Sequence, residues 1–137
     1  MPDQALPNRA QMPTVLLLDD EPTIRETARH FLSLCGYRCV EADSIQKASE
    51  ILKTAPVEAA ILDVRLSHDE SGLEFLKQFR QHEELSHVPV LIMTGSILTP
   101  EEEAAITRQR AVLFYKPEGL DNIVKFLDQL TGRDRSH

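Results

Sequence analysis

The stretch VLLLDDEP at residues 15–22 decides the fold. Its four leading apolar residues are typical of a short β-strand that is buried on both faces. The strand ends in the acidic run Asp19, Asp20 and Glu21. Pro22 then suits the first position of a helix, where its missing N–H costs nothing. A buried strand that leads at once into a helix predicts an α/β fold.

The same strand-then-helix unit recurs four more times along the chain. Pro22, Ser44, Ser71 and Thr99 mark helix starts, and Glu74 would complete a capping box with Ser71. Apolar residues then recur at helical spacing in each unit. Five alternating units predict a parallel sheet covered by helices on both faces. The predicted strands cover residues 15–18, 38–42, 59–62, 88–93 and 111–115.

The bulk composition fits one compact domain. The chain has 137 residues, 42% of them hydrophobic, which is enough for a core of aliphatic side chains. We predict a flexible N-terminal arm over residues 1–13, a folded domain over residues 14–131 and a tail over residues 132–137.

The charge balance excludes several classes of partner. A net charge of −7 repels nucleic acid phosphates and argues against direct nucleic acid binding. No apolar run has the length of a membrane span, and the N-terminus has no signal pattern. The sequence therefore predicts a cytoplasmic protein without a membrane partner.

Polar residues follow the predicted strands, where open α/β sheets bind their ligands. Carboxylates that converge on one pocket repel each other and need a cation, and hard oxygen ligands suit Mg²⁺. An aspartate opposite a lysine and a threonine can act as a nucleophile and form an acyl phosphate. These strand-end residues are Asp19, Asp20 and Glu21 after the first strand, Asp63 after the third, Thr94 after the fourth and Lys116 after the fifth.

Four motifs at successive strand ends carry a family resemblance. They are VLLLDDEP (15–22), AAILDVRL (59–66), LIMTGS (91–96) and YKPEGL (115–120). Their order and spacing resemble those of the response regulator receiver domains of two-component signalling. The resemblance covers nearly the whole folded part. It implies a flavodoxin-like, doubly wound sheet of five parallel strands in the order 2-1-3-4-5.

The resemblance also implies a metal site and a phosphoacceptor. Asp63 would accept the phosphoryl group. Asp20 would ligate Mg²⁺ directly, and Asp19 would do so mainly through water. Asp63 and the backbone carbonyl of Arg65 would complete the protein ligands.

Two further positions would contact the phosphoryl group. The resemblance implies that Thr94 hydrogen-bonds it and that Lys116 pairs with it. It also implies a cis peptide bond between Lys116 and Pro117.

The implied function is phosphorelay signal transduction. A sensor histidine kinase or a histidine phosphotransfer protein would supply the phosphoryl group. The domain would catalyse only its own phosphorylation and dephosphorylation, so it would not be an enzyme in the usual sense. It would pass on a conformational change to an output domain or a downstream protein.

The chain departs from the family pattern at two places. The family usually has an aromatic residue three positions before its lysine, where this chain has Leu113, followed by Phe114 and Tyr115. We therefore expect weaker coupling to the last strand and its flanking helices. The loop after Asp63 is one residue longer than usual and lacks the usual proline.

Alternatives remain open for this loop. Arg65 would either reach over an acyl phosphate and tune its hydrolysis or lie exposed in solvent. His68, Asp69 and Glu70 would form either an extra metal ligand set or, as charged loop residues more often do, a solvated loop.

Two rival functions also remain. VLLLDDEPT loosely resembles the nucleophile motif of haloacid-dehalogenase-type phosphatases, in which case Asp19 would be phosphorylated instead of Asp63. The second rival is a receiver-like binding module that takes no phosphate, and only Leu113 favours it.

Overall fold

The computed structural model describes residues 12–115 and 120–132. It has one sheet of five parallel strands in the order β2-β1-β3-β4-β5, which confirms the predicted fold class and strand order. The strands are β1 (Thr14–Leu18), β2 (Arg38–Ala42), β3 (Ala59–Leu62), β4 (Val90–Thr94) and β5 (Val112–Tyr115).

The helices begin close to the predicted signals. Ser44 accepts a hydrogen bond from the Lys47 N–H at 3.2 Å. The capping box predicted at Ser71 does not form, because the Ser71 hydroxyl accepts from the N–H of Leu73 instead. The helices are α1 (Pro22–Leu34), α2 (Ile45–Thr54), α3 (Gly72–Gln81), α4 (Pro100–Arg108) and α5 (Leu120–Thr131), with short 3₁₀ turns at Ser67–Asp69 and Glu83–Leu85.

The sheet separates two hydrophobic cores. Alternate residues of each strand point to opposite faces, so Leu16 and Leu18 pack with α2, α3 and α4. Val15 and Leu17 pack on the other face with α1 and α5. Both faces of the central strands are thus buried, which explains their unbroken apolar runs.

Strand β4 begins two residues later than predicted. The Val88 N–H donates to the Leu85 carbonyl at 3.3 Å, so Val88 still belongs to the preceding turn. Pro89 has no N–H to give to a ladder, and pairing with β3 starts at Val90.

Arg80 fixes the chain at the opposite end of the sheet from the predicted site. Its guanidinium donates to four backbone carbonyls, those of Leu85, Val88, Gln109 and Arg110, at 2.7 to 3.4 Å. Burial, followed by repulsion from Arg110, lowers the pKa of Arg80 from its ordinary value. One side chain therefore ties α3 to both the turn before β4 and the turn before β5.

Several sequence predictions lie outside the described residues. The arm up to residue 11, Lys116 with its peptide bond to Pro117, and the tail from residue 133 belong to this group. Within the described ranges, no helix combines the length and the apolarity needed to cross a bilayer.

Candidate functional site

Three strand ends bring polar side chains to one edge of the sheet. Asp19 follows β1 and Asp63 follows β3, and these strands pair in parallel. The Asp63 N–H donates to the Leu18 carbonyl at 2.9 Å, which locks the two strand ends together. Thr94 closes the neighbouring strand β4. Asp19 and Thr94 are 0% exposed and Asp63 is 7% exposed, so these polar groups are sequestered from bulk water.

Asp20 joins Asp19 and Asp63 in a group of three carboxylates. One oxygen from each lies within 4.8 Å of the others. Among residues 12–115 and 120–132, no other set of three or more His, Cys, Asp or Glu side chains converges in this way. Such close negative charges repel each other, and a hard divalent cation with oxygen ligands relieves that repulsion. The donor set therefore fits Mg²⁺.

Hydrogen bonds from neighbouring groups hold Asp19 and Asp20 in position. Asp19 Oδ1 accepts from the Glu21 N–H at 3.0 Å, and the Asp19 carbonyl accepts from the Arg25 guanidinium at 2.9 Å. Ser67 reaches across from the loop after β3, and its hydroxyl donates to Asp20 Oδ2 at 2.5 Å. The loops after β1 and β3 are thus connected at the carboxylate group.

A close backbone approach shapes the loop after Asp63. The Gly72 N–H donates to the Val64 carbonyl at 2.8 Å. A Cβ at Gly72 would lie 1.8 Å from the Asp63 carbonyl oxygen and 2.9 Å from the Asp63 carbonyl carbon. Both are backbone atoms that cannot rotate away, so only glycine fits at this first position of α3.

The charged residues of the same loop do not form a second metal cluster. His68 and Asp69 are exposed and take the left-handed backbone conformation, with φ of 62° and 60°. Glu70 turns away to α2, where its Oε1 accepts from the Ile45 N–H at 3.2 Å. This geometry favours the solvated-loop interpretation for His68 and Asp69 and gives Glu70 a helix-capping role.

The Arg65 side chain is half exposed but firmly paired. Its Nη1 and Nη2 donate to the two carboxylate oxygens of Glu102 at 2.5 and 3.0 Å. Nη2 also donates to the Ile97 carbonyl at 3.2 Å. The hydrogen bond between them raises the pKa of Arg65 and lowers that of Glu102. The side chain therefore connects the loop after β3 to α4, which neither sequence interpretation of Arg65 foresaw.

The phosphoryl-contacting residues of the resemblance are described only in part. The Thr94 hydroxyl oxygen accepts from the Ser96 N–H at 3.2 Å. Lys116 lies outside the described residues, as does the predicted cis bond. The metal role of the Arg65 carbonyl and the roles of the other site residues stay predictions.

Strand β5 presents leucine where the family has its aromatic residue. Leu113 is half-buried against the core beneath α2, α3 and α4. Phe114 packs on the other face, edge-on to Phe126 with ring centroids 5.7 Å apart. Tyr115 contacts α4 through a 3.3 Å hydrogen bond from its hydroxyl to Glu103. An aromatic side chain thus reaches α4 two positions later in the strand than the family pattern has it.

Sequence reasoning missed three residues that contact this site. Gly72 carried a usable signal, because glycine is a poor helix residue and its place at a helix start suggests a close approach. Ser67 carried no signal, and Glu102 carried only that of an acid at a helix start, because each reaches its site partner across dozens of residues of sequence.

Comparison with known proteins agrees with the fold and the strand-end motifs. The family model of the response regulator receiver domain matches residues 15–128, most of the chain. The KDP operon transcriptional regulatory protein KdpE of Escherichia coli is 30% identical over 112 residues, which cover 82% of this chain and 48% of KdpE. The phosphate regulon transcriptional regulatory protein PhoB of Pseudomonas aeruginosa is 31% identical over 82 residues, which cover 60% of this chain and 35% of PhoB.

A solved structure aligns over nearly its whole length. The chemotaxis protein CheY4 of Vibrio cholerae superposes with a TM-score of 0.78 and 27% identity, covering 87% of this chain and 98% of CheY4. The chain spans between a third and a half of the length of the two transcriptional regulators, and it matches CheY4 almost end to end. The chain therefore belongs to the response regulator receiver domain family of two-component signalling.

Proposed function

We propose that this chain accepts a phosphoryl group on Asp63 from a phosphohistidine. The donor would be a sensor histidine kinase or a histidine phosphotransfer protein. The observation that carries the proposal is the buried Asp63 carboxylate beside those of Asp19 and Asp20, with the buried Thr94 at the next strand end. A carboxylate in such a place can act as a nucleophile towards phosphorus once the negative charge around it is balanced.

The transfer exchanges one bond to phosphorus for another. A carboxylate oxygen of Asp63 attacks the phosphorus atom, and the bond from phosphorus to the donor imidazole nitrogen breaks. The imidazole takes up a proton as it leaves. When the signal ends, water attacks the same phosphorus and releases inorganic phosphate and the free Asp63 carboxylate.

Asp19, Asp20, Asp63 and the Arg65 carbonyl would hold Mg²⁺. The ion would supply positive charge for the oxygens of the transferring group. The hydrogen bonds that Asp19 and Asp20 accept from Glu21 and Ser67 would keep the ligands in place without their having to rearrange.

Two side chains would hold the phosphoryl group itself. The Thr94 hydroxyl would donate a hydrogen bond to a phosphoryl oxygen, which requires it to rotate while its oxygen keeps accepting from Ser96. The Lys116 ammonium would pair with a second phosphoryl oxygen.

The output of the signal would lie outside the receiver fold. PhoB and KdpE are transcriptional regulators about two to three times as long as the stretch they share with this chain. We propose that an output domain or a separate downstream protein reads the phosphorylated state. The domain would turn over no substrate other than its own phosphoryl group.

Labelling with a small-molecule phosphodonor tests the proposal. Acetyl phosphate with Mg²⁺ should add one base-labile phosphoryl group, detected by intact-mass spectrometry. Excess chelator should abolish the adduct. An unmodified protein under conditions that label a known receiver would contradict the proposal and favour a binding module that takes no phosphate.

Magnesium should stabilise the folded protein. The ion binds the three folded carboxylates and not the dispersed ones of the unfolded chain. At about ten times the dissociation constant, Mg²⁺ should raise Tm by about 5 °C. Asp20→Ala should remove most of this shift, and Glu84→Ala, an exposed carboxylate far from the site, should leave it intact. Equal shifts in both variants, measured by differential scanning calorimetry, would rule out the carboxylate group as the metal site.

A further inference from the structure

Three hydrogen bonds from the Arg65 guanidinium join the loop after β3 to α4 and to the segment before it. Two parallel hydrogen bonds link the guanidinium to the Glu102 carboxylate, and a third links it to the Ile97 carbonyl in the connection between β4 and α4. Planar, bidentate pairing of this kind is more specific and stronger than a single surface ion pair. Arg65 therefore has a defined position in this state of the protein.

Glu102 is also part of the α4 start. Its Oε1, which accepts from Arg65, also accepts from the Thr99 N–H at 2.9 Å, and its own N–H donates to the Thr99 hydroxyl at 3.1 Å. These two bonds form the capping box of α4. The carboxylate that pairs with Arg65 is thus the one that organises the first turn of α4.

Arg65 lies two residues after Asp63, in the loop that follows β3. The Arg65 side chain is 48% exposed and that of Glu102 is 21% exposed, so the guanidinium can turn without breaking the core. Arg65 is thus paired with Glu102 and stands close in the sequence to the residue proposed to be phosphorylated.

We propose that Arg65 exchanges partners: Glu102 holds its guanidinium while Asp63 is unphosphorylated, and a phosphoryl group on Asp63 draws it away. The inference rests on the proposed phosphorylation of Asp63. Transfer of the guanidinium would release the first turn of α4 from the loop after β3. This chain would then couple its phosphoryl group to α4 through an ion pair, while on β5 Leu113 stands in place of the family's aromatic residue.

The charges of the two competitors favour this exchange. A phosphoryl group carries about 1.5 to 2 negative charges and three strong acceptor oxygens, against the single charge of a carboxylate. The guanidinium fork matches both anions geometrically. A switch requires that the added group contact the two states differently, and the change of partner at Arg65 supplies that difference.

Beryllofluoride with Mg²⁺ mimics the phosphoryl group, and its binding tests the exchange of partners. Two substitutions should change its affinity in opposite directions. Arg65→Ala removes a cation from the bound state and should weaken beryllofluoride binding by about threefold to tenfold. Glu102→Gln removes the competitor but keeps the capping box, which glutamine also forms. It should therefore tighten binding by about threefold to tenfold, as the reciprocity of coupled equilibria demands.

Matched controls separate the pair from general effects of charge. Glu101→Gln makes the same charge change one residue away on the exposed side of α4 and should shift the affinity by less than about twofold. The double variant of Arg65→Ala with Glu102→Gln should behave like Arg65→Ala alone. Isothermal titration calorimetry of the whole chain gives all five affinities.

Hydrogen exchange at α4 supplies an independent readout. Beryllofluoride with Mg²⁺ should speed exchange of the Glu103 amide, which donates to the Thr99 carbonyl at 3.0 Å. In Glu102→Gln this exchange should already be fast before the mimic is added. If wild type binds no beryllofluoride, the proposed function fails and the switch fails with it. If wild type binds but both single variants weaken binding, or α4 exchange never changes, only the switch is overturned.

Discussion

Gly72→Ala should lower the free energy of unfolding by about 3 kcal/mol, because the new methyl group collides with rigid backbone. Its Cβ would lie 1.8 Å from the Asp63 carbonyl oxygen, and no side-chain rotation can relieve that contact. The backbone must move, and it is the backbone that carries Asp63. The variant should therefore also lose most of its phosphorylation by acetyl phosphate.

Gly132→Ala provides the matched control for this substitution. Gly132 has φ of 77°, a backbone conformation that is strained for alanine, and a Cβ added there would have no described atom within 4 Å. Backbone strain is therefore the only expected cost of the substitution. That strain should cost about 1 kcal/mol and leave phosphorylation unchanged. Urea unfolding of both variants measures the difference. Equal losses of stability would mean that the short contact at Gly72 adds nothing to the unfolding free energy lost by the substitution.

Arg80→Met should lower the free energy of unfolding by about 3 kcal/mol without touching the candidate site. Methionine keeps much of the apolar stem but leaves four carbonyls without their charged donor, those of Leu85, Val88, Gln109 and Arg110. Acceptors that are partly shielded from water regain only part of the lost hydrogen bonding.

Lys77→Met is the control on the same helix. Lys77 lies one turn before Arg80 and is exposed, so its loss should change stability by no more than about 0.5 kcal/mol. Thermal and urea unfolding should rank the two variants far apart, with phosphorylation retained in both. A cost at Arg80 as small as that at Lys77 would show that water replaces the guanidinium at all four carbonyls.

The sequence predicted the fold well wherever local patterns determine structure. The run at residues 15–18 alternates between two cores, and the buried strand it predicted is present as β1. The start of β4 was predicted two residues too early. The apolar side chain of Val88 fits a strand, but Pro89 and the Arg80 hydrogen bond to the Val88 carbonyl keep it in the turn.

The sequence predicted the carboxylates of the candidate site but not the side-chain hydrogen bonds that join the site to α4. Parallel strands end at the same edge, so Asp19 and Asp63 had to meet once the strand order was given. The pairing of Arg65 with Glu102 spans 37 residues and depends on how long side chains cross between two loops. No periodicity or motif in the sequence indicates that these two side chains meet.

Mapping the phosphorylated residue tests the central assignment most directly. Borohydride reduces an aspartyl phosphate to homoserine, and peptide mass spectrometry then locates the reduced position. After treatment with acetyl phosphate and Mg²⁺, we predict homoserine at position 63 and at no other position, and no adduct in Asp63→Asn. Reduction at Asp19 instead, or an undiminished adduct in Asp63→Asn, would contradict the assignment of Asp63 as the phosphoacceptor.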